Sequence, residues 1–294
     1  MGLCDDVRAS AAAISATARH VRIDHDRLGT YDVAGPPAEP DPLDAERHYL
    51  EGSPADVAAY MLALDSINFG SGWFPLLRKR PFSSGYYTVS WALADHVRAA
   101  GPLTNAELRA MTTERIAAIL GQDPSLELMS LYAEALRELG RFLGDRAPID
   151  VVAAAGGSAE RLAETLALGM ARFADRGFYK RAQIVGSDMA LAGVATFGDL
   201  DRLTIFADNL VPHVLRCDGV LVYDEALAAH IDSGALLPMD EREREIRAAA
   251  VHVCELLAAR LSVTPRALDT WLWNRGQGEP YKQRPRHRTR TVWY

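Results

Sequence analysis

A chain of 294 residues, 49% of them hydrophobic, can bury one large core or two modest ones, which excludes a disordered or fibrous protein. Its formal charge is −7, yet residues 282–290 hold five Lys or Arg and no acid, so the positive charge is local and a broad duplex-binding face is disfavoured. A small anionic partner suits such a patch better.

Cys4, Cys217 and Cys254 show no CxxC spacing, so a reducing compartment is favoured over a disulfide framework, and Cys217 and Cys254 read as small core residues. The eight histidines lack HExxH and HxxxH spacing, so no metal is expected, and nothing suggests another cofactor. The first six residues carry acid where a secretion signal carries bases, and Asp6 stands where myristoylation requires Ser or Thr. No apolar run approaches the roughly 18 residues of a membrane span. A soluble cytoplasmic protein is the expectation.

In chain order, residues 34–42 form a proline-rich surface loop that connects elements. Ser53-Pro54-Ala55-Asp56 supplies an N-cap, a proline at the first helical position and an acid at the third, predicting a helix that ends near Ile67. The run Tyr86-Tyr87-Thr88-Val89-Ser90-Trp91 is rich in β formers. Thr104-Asn105-Ala106-Glu107 is a capping box opening a helix with Leu108 and Met111. Periodic runs predict further helices over about 127–143, 158–174, 243–261 and 265–273, the last opened by Thr264-Pro265. Gly219-Val220-Leu221-Val222-Tyr223 is a short apolar strand signal. With no internal repeat and no second compositional block, the prediction is one mainly α-helical domain over residues 1–294, with at most a small β hairpin.

Several residues carry candidate chemistry. Asp208 follows the apolar run Leu203-Thr204-Ile205-Phe206, and reads either as a turn carboxylate before Pro212 or as an acid held in a low-dielectric pocket. Lys180 and Arg181 are either a solvated pair or phosphate donors. The C-terminal bases alternate with Thr, Val, Trp and Tyr, a β-like pattern able to dock. Asp65-Ser66-Ile67-Asn68-Phe69-Gly70 ends a helix with polar groups and aromatics, either as a hydrophobic C-cap or as a pocket wall. In the second case Asn68 addresses a nucleobase edge while Phe69 or Trp73 stacks on its face. Trp271 and Trp273 are two positions apart, so on a helix they cannot both face the core. Ala155-Gly156-Gly157-Ser158 faintly resembles a phosphate loop but lacks its Lys-Ser/Thr. The stretch 242–247 is most simply a salt-bridged helix start, with Glu245 or Arg247 able to turn inward.

Seven segments resemble, in family order, the queuosine 5′-phosphate N-glycosylase/hydrolase family, also called queuosine salvage proteins. They are Asp65-Ser66-Ile67-Asn68-Phe69, Ser84-Gly85-Tyr86-Tyr87, Phe178-Tyr179-Lys180-Arg181-Ala182-Gln183, Phe206-Ala207-Asp208, Glu245-Ile246-Arg247, Leu272-Trp273 and the ending from His287 to Tyr294. The resemblance covers about residues 57–294, with a weaker counterpart at residues 18–24. It implies a helical fold similar to helix-hairpin-helix DNA glycosylases and hydrolysis of queuosine 5′-monophosphate to queuine and ribose 5-phosphate. The local positive charge and the lack of long apolar runs add the expectation of no stable nucleic-acid complex and no membrane partner. Asp208 matches the family's catalytic aspartate and Lys180 its functional lysine. Relatives often carry Tyr where this chain has Asn209 and Asp where it has Asn274.

N-glycosidic cleavage develops oxocarbenium character, so a carboxylate at the anomeric carbon lowers the barrier as nucleophile or as electrostatic stabiliser. Queuine is a 7-deazapurine, so N7 protonation cannot assist its departure. The expected contacts are Phe206 and Trp273 around the base, with His20 or Asn68 at its edge and Trp73 and Tyr179 nearby. Lys180 and the C-terminal bases, including His287 and Arg290, are expected at the phosphate. A DNA base glycosylase and a non-catalytic modified-nucleoside binder are the alternatives.

Overall fold

The computed structural model describes residues 2–31 and 38–294, so residues 34–37 of the expected proline-rich loop lie outside the described residues. Fourteen α-helices and one strand pair are found among the described residues. They are α1 (Leu3–Thr17), β1 (Val21–Ile23), α2 (His25–Gly29), α3 (Pro54–Ser66), α4 (Gly85–Ala100), α5 (Asn105–Arg109), α6 (Thr113–Leu120), α7 (Glu127–Leu143), α8 (Pro148–Ala154), α9 (Ala159–Gly169), α10 (Lys180–Leu191), α11 (Leu210–Cys217), β2 (Leu221–Tyr223), α12 (Glu225–Asp232), α13 (Glu241–Leu261) and α14 (Pro265–Gly276). No helix among them is long and apolar enough to cross a membrane.

Helix starts follow their caps. Ser53 Oγ accepts the Asp56 N–H at 3.2 Å, Pro54 opens α3, and Ile67 closes it. The capping box is reciprocal at α5: Thr104 Oγ1 accepts from Glu107 N at 3.2 Å while Glu107 Oε2 accepts from Thr104 N at 2.9 Å. The expected 127–143 run is α7. The expected 158–174 run is shorter as an α-helix, because α9 gives way at Met170 to a 3₁₀ turn over Ala171–Phe173.

Residues 86–91 correct the sequence reading, for they lie inside α4 and not in a strand. Ser84 Oγ accepts the Tyr87 N–H at 3.1 Å and starts the helix, and Val89, Leu93, Ala94 and Val97 then face the core at helical spacing. Packing outweighs the β preference of an aromatic run. The 219–223 strand signal does form β2, paired antiparallel with β1 in the register Val21↔Tyr223, Arg22↔Val222, Ile23↔Leu221. The Gly-Gly-Ser segment is closed to phosphate: Asp199 accepts from Ser158 Oγ at 2.6 Å and from Ala159 N at 2.7 Å, occupying the start of α9 itself. All three cysteines are free; Cys4 and Cys254 are core residues, and Cys217 is half-buried.

Helix α13 organises the centre. It packs on α1, β1, α11 and α14. Both inward candidates on it are buried. Glu245 accepts the N–H groups of Arg19, His20 and Val21 at 3.0, 2.7 and 3.1 Å, tying down β1. Arg247 pairs with Asp175 at 2.5 and 3.2 Å, lies 3.5 Å from Glu243, and donates through Nε to the Ala207 carbonyl at 3.0 Å. Its guanidinium also sits 4.0 Å from the Phe178 ring centroid and 4.7 Å from that of Tyr294.

Arg247→Met leaves two buried carboxylates without their cation, so it should destabilise the fold by roughly 3–5 kcal/mol. Arg19→Met, which breaks the exposed pair with Glu241, should cost under about 1 kcal/mol. Urea unfolding of both variants checks this; equal losses would refute the central role of Arg247.

Candidate active site

The segment from Leu203 to Asp208 has no regular secondary structure and pairs with no strand, so side chains satisfy its polar backbone. Gln183 of α10 accepts Thr204 N at 2.9 Å and donates to Thr204 Oγ1 at 3.0 Å. Asp269 of α14 accepts Phe206 N at 2.9 Å, and Arg247 of α13 holds the Ala207 carbonyl. Asn209 Nδ2 donates to the His287 carbonyl at 2.9 Å. Asp208 is thereby delivered to the start of α11, where its Oδ1 accepts Leu210 N at 2.7 Å and Val211 N at 3.2 Å. No described residue hydrogen-bonds Oδ2. The two sequence readings of Asp208 are both realised: one oxygen caps a helix and the residue lines a cavity.

That cavity has a volume of about 300 Å³. One face of α10 forms its floor, with Lys180, Ile184, Ser187, Asp188 and Leu191 recurring at helical spacing. Tyr86 and Tyr87 at the start of α4 meet Trp273 of α14 edge-on, with ring centroids 6.0 and 5.6 Å apart. His48 backs this aromatic wall: its Nδ1 lies 2.9 Å from the Asp44 carbonyl and its Nε2 2.9 Å from Tyr86 Oη. The tautomer consistent with this network donates from Nδ1 and accepts at Nε2. Burial pulls the imidazole pKa down, favouring that neutral form.

Charge is concentrated at the floor. Lys180 Nζ, buried, donates to Asn68 O at 3.3 Å and Asn68 Oδ1 at 3.2 Å. Burial pulls its pKa down, while the charge of Asp208 acts in the opposite direction. Burial, then the charge of Asp208, pushes the Asp269 carboxyl up to about 7. Asp65, just behind the wall, is raised to about 7 by burial, and Asp188 is raised well above the carboxylate range by burial and by the charge of Asp65. Arg286 lines the cavity from the C-terminal segment; burial lowers its pKa and Asp208 opposes that. It makes no hydrogen bond or ion pair among the described residues. Nor is any acid, histidine and cysteine cluster among those residues arranged to hold a metal ion.

The structure brings together Asp208, Lys180, Phe206, Trp273 and Asn68. The other expected contacts lie off the cavity wall. His20 pairs with Asp224 at 2.6 Å beside β1. Trp73 is buried, its Nε1 donating to Glu127 at 2.9 Å, and Arg290 lies over it with a centroid distance of 5.6 Å. Tyr179 adopts a left-handed φ of 49° as the N-cap of α10. His287 is buried behind the wall against Tyr294. Asp188, Asp269, His48 and Arg286 are cavity residues that sequence reasoning did not single out. Arg286 sits in the recognised basic run, but the period of the run does not show which base turns inward. The acids had no pattern at all, since a buried carboxylate on a helix looks like a solvated one until its neighbours are known.

A sequence model of the family described as queuosine salvage protein matches residues 48–294, which include most of the cavity wall. A Sphaerobacter thermophilus protein named queuosine 5′-phosphate N-glycosylase/hydrolase is 35% identical, with 94% of each chain covered. A protein of the same name from Mus musculus is 28% identical over 98% of each chain, and one from Dictyostelium discoideum is 38% identical over 40% of each.

The raised carboxyl of Asp269 has a stability signature. The folded chain holds a proton there that the unfolded chain releases, so this stabilisation is complete below the ordinary value of 3.8 and lost as pH rises to about 7. Asp269→Asn retains an oxygen for the Phe206 N–H and removes the charge. Its urea midpoint should fall less steeply than wild type between about pH 4 and about pH 7, and lie above wild type beyond that range. Parallel curves would show that Asp269 is not held protonated by the fold.

Proposed function

This chain belongs to the queuosine salvage protein family, and we infer that it is a hydrolase cleaving the N-glycosidic bond of queuosine 5′-phosphate to release queuine and ribose 5-phosphate. One observation carries the reading beyond family membership. Asp208 is fixed by two helix-start N–H groups through one oxygen, has no described partner on the other, and lines an aromatic cavity beside Lys180.

Cleavage leaves positive charge on the ribose. A carboxylate already oriented in a site of low dielectric stabilises that charge without reorganising at the moment of reaction. The same oxygen serves for covalent capture of C1′. In this reading the flat base lies against Phe206 and the Trp273 wall, whose ring edges and faces favour stacking. Asn68, already bonded to Lys180, supplies an amide at the same end of the cavity. Lys180 stands among Asp65, Asp188 and Asp208, which favours a role in balancing Asp208 and the ribose over a role at the phosphate. Arg286 is the better phosphate ligand, because it is a cavity guanidinium without a described partner and its planar fork matches phosphate oxygens. The charge of Arg286 in turn acts on Lys79, whose pKa is pulled down by burial and then by Arg286.

Mass-spectrometric detection of free queuine after incubation with queuosine 5′-phosphate tests the assignment directly; no release by wild type would end it. Asp208→Asn preserves shape and one acceptor while removing the charge, so turnover should fall by about 10²–10³ with substrate binding retained. Near-normal turnover would remove Asp208 from the mechanism. Arg286→Ala should lower kcat/KM for the 5′-phosphate by about 10–100-fold, the worth of one or two charge-assisted hydrogen bonds, and leave the nucleoside nearly unaffected. An unchanged preference between the two substrates would place the phosphate elsewhere.

A further inference from the structure

Two buried carboxylates meet at the cavity floor. Asp65, near the end of α3, is fully buried, and neither of its oxygens meets a hydrogen-bond donor. Asp188, eight residues beyond Lys180 on α10, lines the cavity and is only 6% exposed. The two carboxyl groups act on each other, and the Asn68 side chain acts on Asp65 as well. Were both ionised, two buried like charges would face one another. One shared proton removes that repulsion.

The nearby cations favour charge on the pair, but burial outweighs them and each has other partners. Arg181, on α10, gives its guanidinium to the backbone carbonyls of Asp65, Ser66 and Val292. Arg266 of α14 is paired with Glu39 at 3.3 Å. Lys180 is shared with Asp208. The remaining titratable groups acting on the pair are Tyr60 of α3, Tyr86 of α4 and Asp269 of α14, none of which adds positive charge. Burial and the charge of Asp65 accordingly push Asp188 well above the ordinary carboxylate range.

We propose that Asp188, with Asp65 behind it as proton-sharing partner, is the general acid that protonates the departing base. The inference rests on the hydrolase reading above and adds a second carboxyl group to it. The two groups differ in environment as an acid and a charge stabiliser must. Asp208 is met by helix-start N–H donors, whereas Asp188 is met by another carboxyl group. Asp188 also acts electrostatically on Tyr86, which places it near the aromatic wall assigned to the base. Asp269 is less free for the task, since one of its oxygens holds Phe206 N.

As the C1′–N9 bond breaks, its electron pair stays with the base. Asp188 passes its proton to a heteroatom on the base edge facing α10, leaving the pair without its proton. Water adds to C1′, and the proton it releases returns to the pair. The sum is substrate plus water giving queuine plus ribose 5-phosphate, with the enzyme restored.

The test compares wild type, Asp188→Asn and Asp208→Asn on queuosine 5′-phosphate and on para-nitrophenyl ribofuranoside 5-phosphate. The second leaving group departs as a stable anion and needs no proton. Asp188→Asn should lose about 10²-fold or more in kcat on the first and less than about threefold on the second. Asp208→Asn should lose on both. Equal losses for Asp188→Asn on the two substrates, or none on either, would overturn the assignment. Independently of how well that variant folds, Asp65→Asn should move the alkaline limb of the wild-type kcat profile to lower pH, because Asp188 no longer faces a second carboxylate. A limb that stays in place would also overturn it. If wild type releases no queuine at all, the hydrolase reading fails first, a result distinct from any pattern among the variants.

Discussion

The site depends on an irregular segment whose backbone bonds are made by side chains. Residues 203–209 run through the interior without a strand neighbour, and Gln183, Asp269 and Arg247 take the hydrogen bonds that a strand would have made. Each comes from a different helix, α10, α14 and α13. The position of Asp208 is therefore set by how those three helices pack, not by its local sequence. Such a network is costly to leave half-made, because every partner is itself buried and polar. Arg247 raises the stakes further, since one guanidinium answers Asp175, Glu243 and the Ala207 carbonyl while stacking on Phe178 and Tyr294.

The pair Lys180 and Arg181 shows how the fold separates structural from functional charge. Adjacent residues on a helix point in different directions. Arg181 turns between the rings of Phe69 and Phe173, 4.8 and 4.9 Å from their centroids, and its donors tie the end of α3 to the C-terminal segment. Lys180 turns into the cavity against the carboxylates. The break that starts α10 lies one residue earlier, at Tyr179, whose left-handed φ is unfavourable for a residue with a Cβ. Strain of this kind persists where surrounding contacts over-determine it, and here it lies next to the cavity lysine.

The legible parts of the fold were those written in local chemistry. Ser53, Thr104 and Thr264 announce α3, α5 and α14 because a cap needs only its own next three residues. Residues 86–91 were misread for the converse reason. Tyr, Thr, Val and Trp favour a pleated, half-buried surface, and the first turn of α4 offers a comparable one by facing the cavity. Helix α10 escaped notice because polar or charged side chains occupy buried positions on it, which blurs the apolar stripe that marks a helix. At the site, Asp208 and Lys180 could be picked out within distinctive segments. Arg286 could not be told from Arg290, since alternation along an extended segment says which residues share a side but not what that side meets. In the structure Arg286 meets the cavity, and Arg290 meets Trp73 and Glu127.

The buried acids also bear on how an anionic substrate is accepted. Asp188, Asp208 and Asp269, with Asp65 behind them, stand around a space lined, among the described residues, by only two cations, Lys180 and Arg286. With all four acids ionised, a phosphomonoester would enter against net negative charge in a medium that screens poorly. Burial raises three of the four, so the cavity retains protons where free carboxyl groups would have lost them. This lowers the negative charge that the incoming phosphate meets, and leaves Asp208 as the acid held by helix-start N–H groups. The desolvation that makes these carboxyl groups costly to the fold thus lowers the negative charge around Lys180 and Arg286, the two cations that line the cavity.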